Sequence, residues 1–239
     1  MEKKIIIVGA TSGIGRRMAE IYASQGHRVG ISGRRLELLE EINQLFPGKI
    51  EYECFDVRGA ENIPHLQKLI YKLNGLDILV ISAGNGESSP DLNWEIDKMT
   101  VETNVNGFVE IANWAFNFLA NQNKGQLVTI SSIASLRGNS WAPAYSAAKA
   151  FQSNYFEGLS IKAKRLKKNI TVTCIEPGFV KTKMARSNKV FWVVPLDKAA
   201  NQIINGIENK KRKVYVSKRW WIVAKLLKWM PYFLLKRMT

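Results

Sequence analysis

Ile5-Ile6-Ile7-Val8-Gly9-Ala10-Thr11-Ser12-Gly13-Ile14-Gly15 is the stretch that decides the fold. Four consecutive β-branched apolar residues read as a strand covered on both faces, because a half-exposed strand would alternate with polar residues. The glycines after it let the backbone turn tightly and approach a pyrophosphate. Helical spacing over 14–25 would then set that anion on a helix amino terminus. A glycine-rich turn alone can be no more than a tight connection, and its GxxxGxG spacing differs from the commoner GxGxxG. Its position between the first strand and the first helix favours the binding reading for Gly9, Thr11, Ser12, Gly13, Ile14 and Gly15.

Outward from this stretch the alternation repeats. Further strands are predicted over 26–32, 50–55, 76–82, 125–131, 170–175 and 214–216, and helices over 36–46, 63–73, 99–121, 143–167 and 196–209. The strands are continuous apolar runs, which predicts an α/β fold. It is a doubly wound, Rossmann-like, mostly parallel sheet of about seven strands with helices on both faces. Residues 1–217 are expected to form one Rossmann-like domain and 218–239 a basic amphipathic tail. Ligands bind beyond the carboxyl ends of the strands in such sheets, so chemistry is sought there.

The 239 residues are 46% hydrophobic, enough for a sizeable core in one domain. Cys54 and Cys174 both read as small buried hydrophobes in strands, and His27 and His65 lie apart, so neither a disulfide nor a metal site is expected. The apolar run at 5–8 is too short for a signal peptide, which places the protein in a reducing cytoplasm. No run of about 20 apolar residues offers a spanning helix. The net charge of +15 is uneven: ten Lys/Arg and no Asp/Glu follow position 209, leaving +5 on everything before.

At the end of the second strand, Ser32-Gly33-Arg34-Arg35 carries no acid to accept from the ribose hydroxyls of NAD. Paired guanidiniums suit a 2′-phosphate, so NADP(H) is favoured over NAD(H). Asp56-Val57 after the third strand suits an adenine amino group, and Ala83-Gly84 after the fourth suits close approach to the cofactor; each also reads as an ordinary loop.

Tyr145 and Lys149 stand at i and i+4 on a predicted helix and share one face. An ammonium beside a phenol favours the phenolate, so a lowered Tyr145 pKa is expected, nearer the range useful for proton transfer. Ser132 ends the fifth strand, where its hydroxyl can hold a carbonyl oxygen. In this order, with the glycine loop, the motifs resemble those of the short-chain dehydrogenases/reductases over residues 3 to about 216. The resemblance implies four further things. Asn104 in Thr103-Asn104-Val105-Asn106-Gly107 would hold a water that continues the proton path. Lys149 would orient the nicotinamide ribose. Pro177-Gly178 and Thr182 would contact the nicotinamide end. A homodimer or homotetramer would be the assembly. Where the family has Asn-Asn-Ala-Gly, this chain has Ile81-Ser82-Ala83-Gly84, which implies altered packing there.

The expected function is hydride transfer between NADP(H) and a carbonyl or alcohol carbon, on a lipophilic or acyl-type substrate, with Tyr145 as general acid/base. A cofactor-binding scaffold without turnover and an NAD-linked alcohol dehydrogenase are the alternatives. Residues 183–194 are the expected substrate lid. In the tail, Trp220, Val223, Leu227, Met230 and Leu234 fall on one side of a helical wheel and Lys218, Lys225, Lys228 and Lys236 on the other. That pattern over 218–237, kinked or ended at Pro231, suits an anionic membrane surface on the cytoplasmic side, with packing on a neighbouring subunit as the competing reading. No nucleic-acid motif accompanies the charge.

Overall fold

Along β1 (Lys4–Val8), successive side chains point to opposite faces, and each face meets a separate core. Ile5 and Ile7 pack with Met18, Tyr22, Leu39 and Ile203 on one side. Ile6 and Val8 pack with Leu66, Leu69, Ile111 and Phe156 on the other. Burying each such side chain is worth roughly 1.5–3 kcal/mol, enough to outweigh the ~1–2 kcal/mol of backbone ordering per residue. This two-sided burial is the physical content of the apolar run.

The computed structural model describes residues 1–182 and 192–236. Among them β1, β2 (Arg28–Gly33), β3 (Ile50–Cys54), β4 (Ile78–Ile81), β5 (Gly125–Ile130), β6 (Ile170–Pro177) and β7 (Lys213–Val216) form a sheet in the order β3-β2-β1-β4-β5-β6-β7. Every neighbouring pair is parallel. The winding reverses between β1 and β4, so a crevice opens beyond their carboxyl ends. The helices are α1 (Gly13–Ser24), α2 (Leu36–Leu45), α3 (Asn62–Leu73), α4 (Trp94–Val101), α5 (Phe108–Gln122), α6 (Pro143–Arg165), α7 (Leu196–Glu208), α8 (Trp220–Trp229) and α9 (Tyr232–Leu235).

Three expectations are corrected. The helix predicted over 99–121 starts at Trp94 and contains a π-helical turn, Glu102–Gly107, between α4 and α5. There Gly107 presses on β3's following loop so closely that a Cβ would lie 2.1 Å from Val57 O. Cys54 is exposed, because β3 is the edge strand; Cys174 is buried as expected.

The tail is the third. Pro231 ends the first helical piece, one of its two expected effects, and the tail runs as α8 and then α9. Most of its predicted apolar side turns inward: Trp220 is buried, as is the neighbouring Ala224, and Val223, Leu227 and Met230 are half-buried, while Leu234 is exposed. The Arg137 guanidinium donates to Met230 O at 2.7 Å, fastening the tail's end to the loop after β5. The outward face carries Trp221, Ile222, Leu226 and Trp229 beside Lys225 and Lys228. No helix among the described residues is long and apolar enough to cross a membrane.

Candidate active site

Gly9 and Gly13 have φ of +87° and +59°, a region that side-chain-bearing residues rarely adopt. A Cβ on Gly9 would lie 2.4 Å from Ala83 N, and one on Gly15 would lie 2.3 Å from Gly9 O. The loop therefore closes against the β4 end only because these residues lack side chains. Over Gly13 the space is open until the Thr182 methyl, 3.7 Å from a built Cβ, so Thr182 faces the loop across the cleft. No side chain caps the α1 amino terminus, and its first turn holds no acid. The Ser12 hydroxyl instead accepts from Arg35 at 3.0 Å, and Thr11 Oγ1 accepts from the same nitrogen at 2.6 Å. An uncapped 12-residue helix behind a glycine-rich cradle fits the pyrophosphate of a dinucleotide. Ile14 sits half-buried against the core beneath.

Arg34 stays exposed, with NH1 3.7 Å from Asp56 Oδ2. Asp56 is gripped by Arg58, whose guanidinium reaches Oδ2 at 2.6 Å and whose amide donates to Oδ1 at 3.0 Å. Burial pushes the Asp56 carboxyl up, but the Arg58 contacts and the Arg34 charge prevail and hold it below its usual value. Val57 is buried, and its carbonyl accepts from Asn62. No acid stands at the end of β2.

Ser132 follows β5, Tyr145 and Lys149 lie on α6, Asn104 lies in the π turn, and Gly84 follows β4. The fold brings them together. A Cβ on Gly84 would lie 3.2 Å from Asn104 Oδ1 and 3.5 Å from Lys149 Nζ. Ser132 Oγ accepts from Ala134 N at 3.1 Å, which leaves its O–H to donate elsewhere. Lys149 Nζ lies 5.8 Å from the Tyr145 ring centroid. Its ammonium is buried and donates to Ile130 O at 2.9 Å and Gln152 Oε1 at 3.0 Å. Burial pushes Lys149 down to about 8.

Tyr145 departs from expectation. Burial holds its phenol above the ordinary value, and only the Ser132 side chain pulls the other way. The ammonium expected to lower it is committed to two carbonyl-type oxygens. At neutral pH the phenol is therefore a protonated donor.

Four residues that sequence reasoning did not place at the site help to build it. Asn85 exchanges two hydrogen bonds with Asn104, its N donating to Oδ1 at 2.9 Å and its carbonyl accepting from Nδ2 at 2.6 Å. This pair braces the loop where the family's asparagines are missing. Gln152 links Lys149 to Asn104 O. Glu176, fully buried, accepts from Ser153 at 2.9 Å and pairs with Lys213 at 2.7 Å, behind Pro177-Gly178. Trp220 lies flat against Gly178, where a Cβ would come within 2.1 Å of its ring, and packs edge-on to Phe179 and Trp192. Asn85 and Gln152 carry a signal in hindsight, since one follows a strand-end glycine and the other lies one turn after Lys149. Of the expected lid, 183–191 lie outside the described residues; Val194 is buried and Trp192 and Val193 are exposed. An open cleft of about 530 Å³ between Ser135, Arg137 and Asn139 and the first turns of α6 includes none of the four expected catalytic groups. No cluster of metal-ligating side chains occurs among the described residues.

A switch-point crevice with a glycine cradle, a strand-end serine and a Tyr/Lys helix face defines a class of nucleotide-dependent oxidoreductases. The family model described as short chain dehydrogenase matches residues 3–190. The chain belongs to the short-chain dehydrogenase/reductase family. An uncharacterized oxidoreductase of Myxococcus xanthus is 34% identical over 189 residues, covering 77% of this chain and 74% of that one. Among solved structures, ElxO with NADP bound superposes with a TM-score of 0.78 at 21% identity, over 90% of this chain and 97% of that chain. A short chain dehydrogenase/reductase from Burkholderia phymatum in complex with NAD gives 0.85 at 17% identity, over 94% and 92%.

Proposed function

We propose that this oxidoreductase reduces a carbonyl to an alcohol with NADPH, Tyr145 acting as the general acid. The observation that carries the reading is a phenol held protonated by burial, beside a serine hydroxyl and a buried ammonium. When bound, the nicotinamide supplies hydride to the carbonyl carbon. The Ser132 O–H donates to the carbonyl oxygen and holds it in place. The Tyr145 O–H delivers its proton to that oxygen as negative charge builds there. Lys149, anchored through two of its three donors, has the third for the ribose side of the cleft. A scaffold without turnover has no use for a buried ammonium whose burial costs stability, which favours an enzyme over that alternative.

Arg34 and Arg35 support NADPH over NADH. The structural neighbours include proteins bound to either cofactor, so the arginines carry this preference. A homo-oligomer is supported by exposed apolar side chains on α4 and α6, Val101, Phe151 and Ile161.

A second reading concerns where the enzyme works. With Trp220 turned inward, the outward faces of α8 and α9 still expose Trp221, Ile222, Leu226, Trp229, Tyr232 and Phe233, ringed by cations without an acid in the tail. Such a surface suits an anionic membrane interface and makes a lipophilic carbonyl the favoured substrate class.

The test is NADPH oxidation against a panel of ketones, acyl thioesters and quinones. Tyr145→Phe should bind NADPH and melt as the unaltered protein does, yet lose at least about a hundredfold in kcat, the usual worth of a positioned acid. Replacing Arg34 and Arg35 by alanine should narrow the NADPH-to-NADH gap in Kd. Near-normal turnover in Tyr145→Phe would overturn the mechanism, and equal affinities in the unaltered protein would overturn the cofactor preference.

A further inference from the structure

The resemblance implies that Asn104 would hold a water that continues the proton path. In the structure the Asn104 backbone carbonyl is met by a side chain. Gln152 stands at i+3 from Lys149 on α6 and is 1% exposed. Its Oε1 accepts from Lys149 Nζ at 3.0 Å, and its Nε2 donates to Asn104 O at 2.9 Å. The two partners fix which way the amide points: an ammonium only donates and a peptide carbonyl only accepts.

Why that carbonyl is available follows from the π turn. In an α-helical ladder Asn104 O would take the amide of Phe108, four residues on. The Phe108 amide bonds Val105 O instead. The turn thus leaves Asn104 O to a partner from another helix, while the Asn104 side chain is held by Asn85. A buried carbonyl and a buried ammonium both need partners, and one carboxamide serves both.

We propose that Gln152 is the positioning residue of this active site, a fixed bridge between Lys149 and the π turn that holds the ammonium in place. The proposal rests on the catalytic reading above. The other titratable groups facing Lys149 are Tyr145 on α6 and Cys174 on β6. Burial pushes the Cys174 thiol up to about 11, so neither carries charge near neutrality. From the π turn Lys149 meets only neutral groups.

The test is the titration of the Lys149 side chain in protein labelled with ¹³C-lysine, its resonance assigned by its loss in Lys149→Met. Gln152→Leu removes an acceptor from the ammonium and should move the midpoint down by about one pH unit; Gln152→Glu should move it up. With a verified substrate, kcat of Gln152→Leu should fall about tenfold while KM for the carbonyl compound stays unchanged. A midpoint that stays put in the folded variants, or an unaltered kcat, overturns the proposal. If Gln152→Leu does not fold, Gln152→Glu decides alone by the same two readouts. The titration needs no turnover. An active Tyr145→Phe would therefore defeat the catalytic reading, whereas an unmoved Lys149 midpoint would defeat this proposal alone.

Discussion

Tyr145 and Lys149 respond to burial in opposite senses, and together they set a pH profile. Burial disfavours the charged form of each, so the phenol goes up and the ammonium comes down to about 8. From pH 6 to 7.5 both carry the protons that reduction needs, and kcat/KM should be flat. Above about pH 8 the free enzyme loses the Lys149 charge, and kcat/KM for carbonyl reduction should fall while Tyr145 remains protonated. A profile still flat at pH 9.5 would refute this assignment. Stability has the opposite trend. The unfolded chain keeps the lysine proton up to about 10.5, so between about 8 and 10.5 it binds more protons than the native state, and the Lys149 contribution to stability rises with pH. Tyr145 and Lys149 were legible as an i, i+4 pair. Gln152 was not, because a neutral amide one turn on reads as ordinary helix surface until the facing helix is known. The pKa direction of Tyr145 was misjudged for a related reason: spacing shows that an ammonium is near, not what it already bonds.

Elements followed apolar periodicity closely, and the parallel order followed from alternation of strands and helices. Periodicity failed where a helix deviates by one residue or where two apolar stripes compete. The π turn at Glu102–Gly107 shifts the ladder without interrupting the apolar pattern. In α8 both Trp220 and Trp221 are large and apolar, and a helical wheel does not say which side meets the body. The structure answers through Gly178, whose missing Cβ makes room for the Trp220 ring. A double-mutant cycle tests that seating. Trp220→Ala should cost ~3–5 kcal/mol in urea unfolding, as for a fully buried large aromatic. Gly178→Ala should cost ~1–3 kcal/mol by overpacking, but almost nothing when Trp220 is already alanine. Additive losses would mean that the ring does not rest on Gly178.

On the scale of the whole molecule the charge is segregated: ten cations and no acids after position 209, against +5 on the rest. Repulsion among those cations weakens the native tail, so a counter-surface would relieve it. Near an anionic bilayer each cation contributes about 1 kcal/mol, fading with salt, and exposed indoles add interfacial affinity. Trp229 is 82% exposed and Trp221 49%, whereas Trp220 and Ala224 are the buried residues of α8. Truncating after Ser217 would be a poor test, since it would also strip Trp220 from Gly178 and open the site. The informative variant replaces Trp221, Leu226 and Trp229 by glutamine and keeps Trp220 and Ala224. The unaltered protein should float with phosphatidylglycerol-containing vesicles at low salt and be largely released at about 0.5 M salt, where the Debye length is only several ångströms. The glutamine variant should stay in the soluble fraction with its melting temperature preserved. Equal flotation of both proteins would show that charge alone brings the chain to the surface. An unaltered protein that never floats would return the outward face of α8 to the competing reading, a seat for a second subunit.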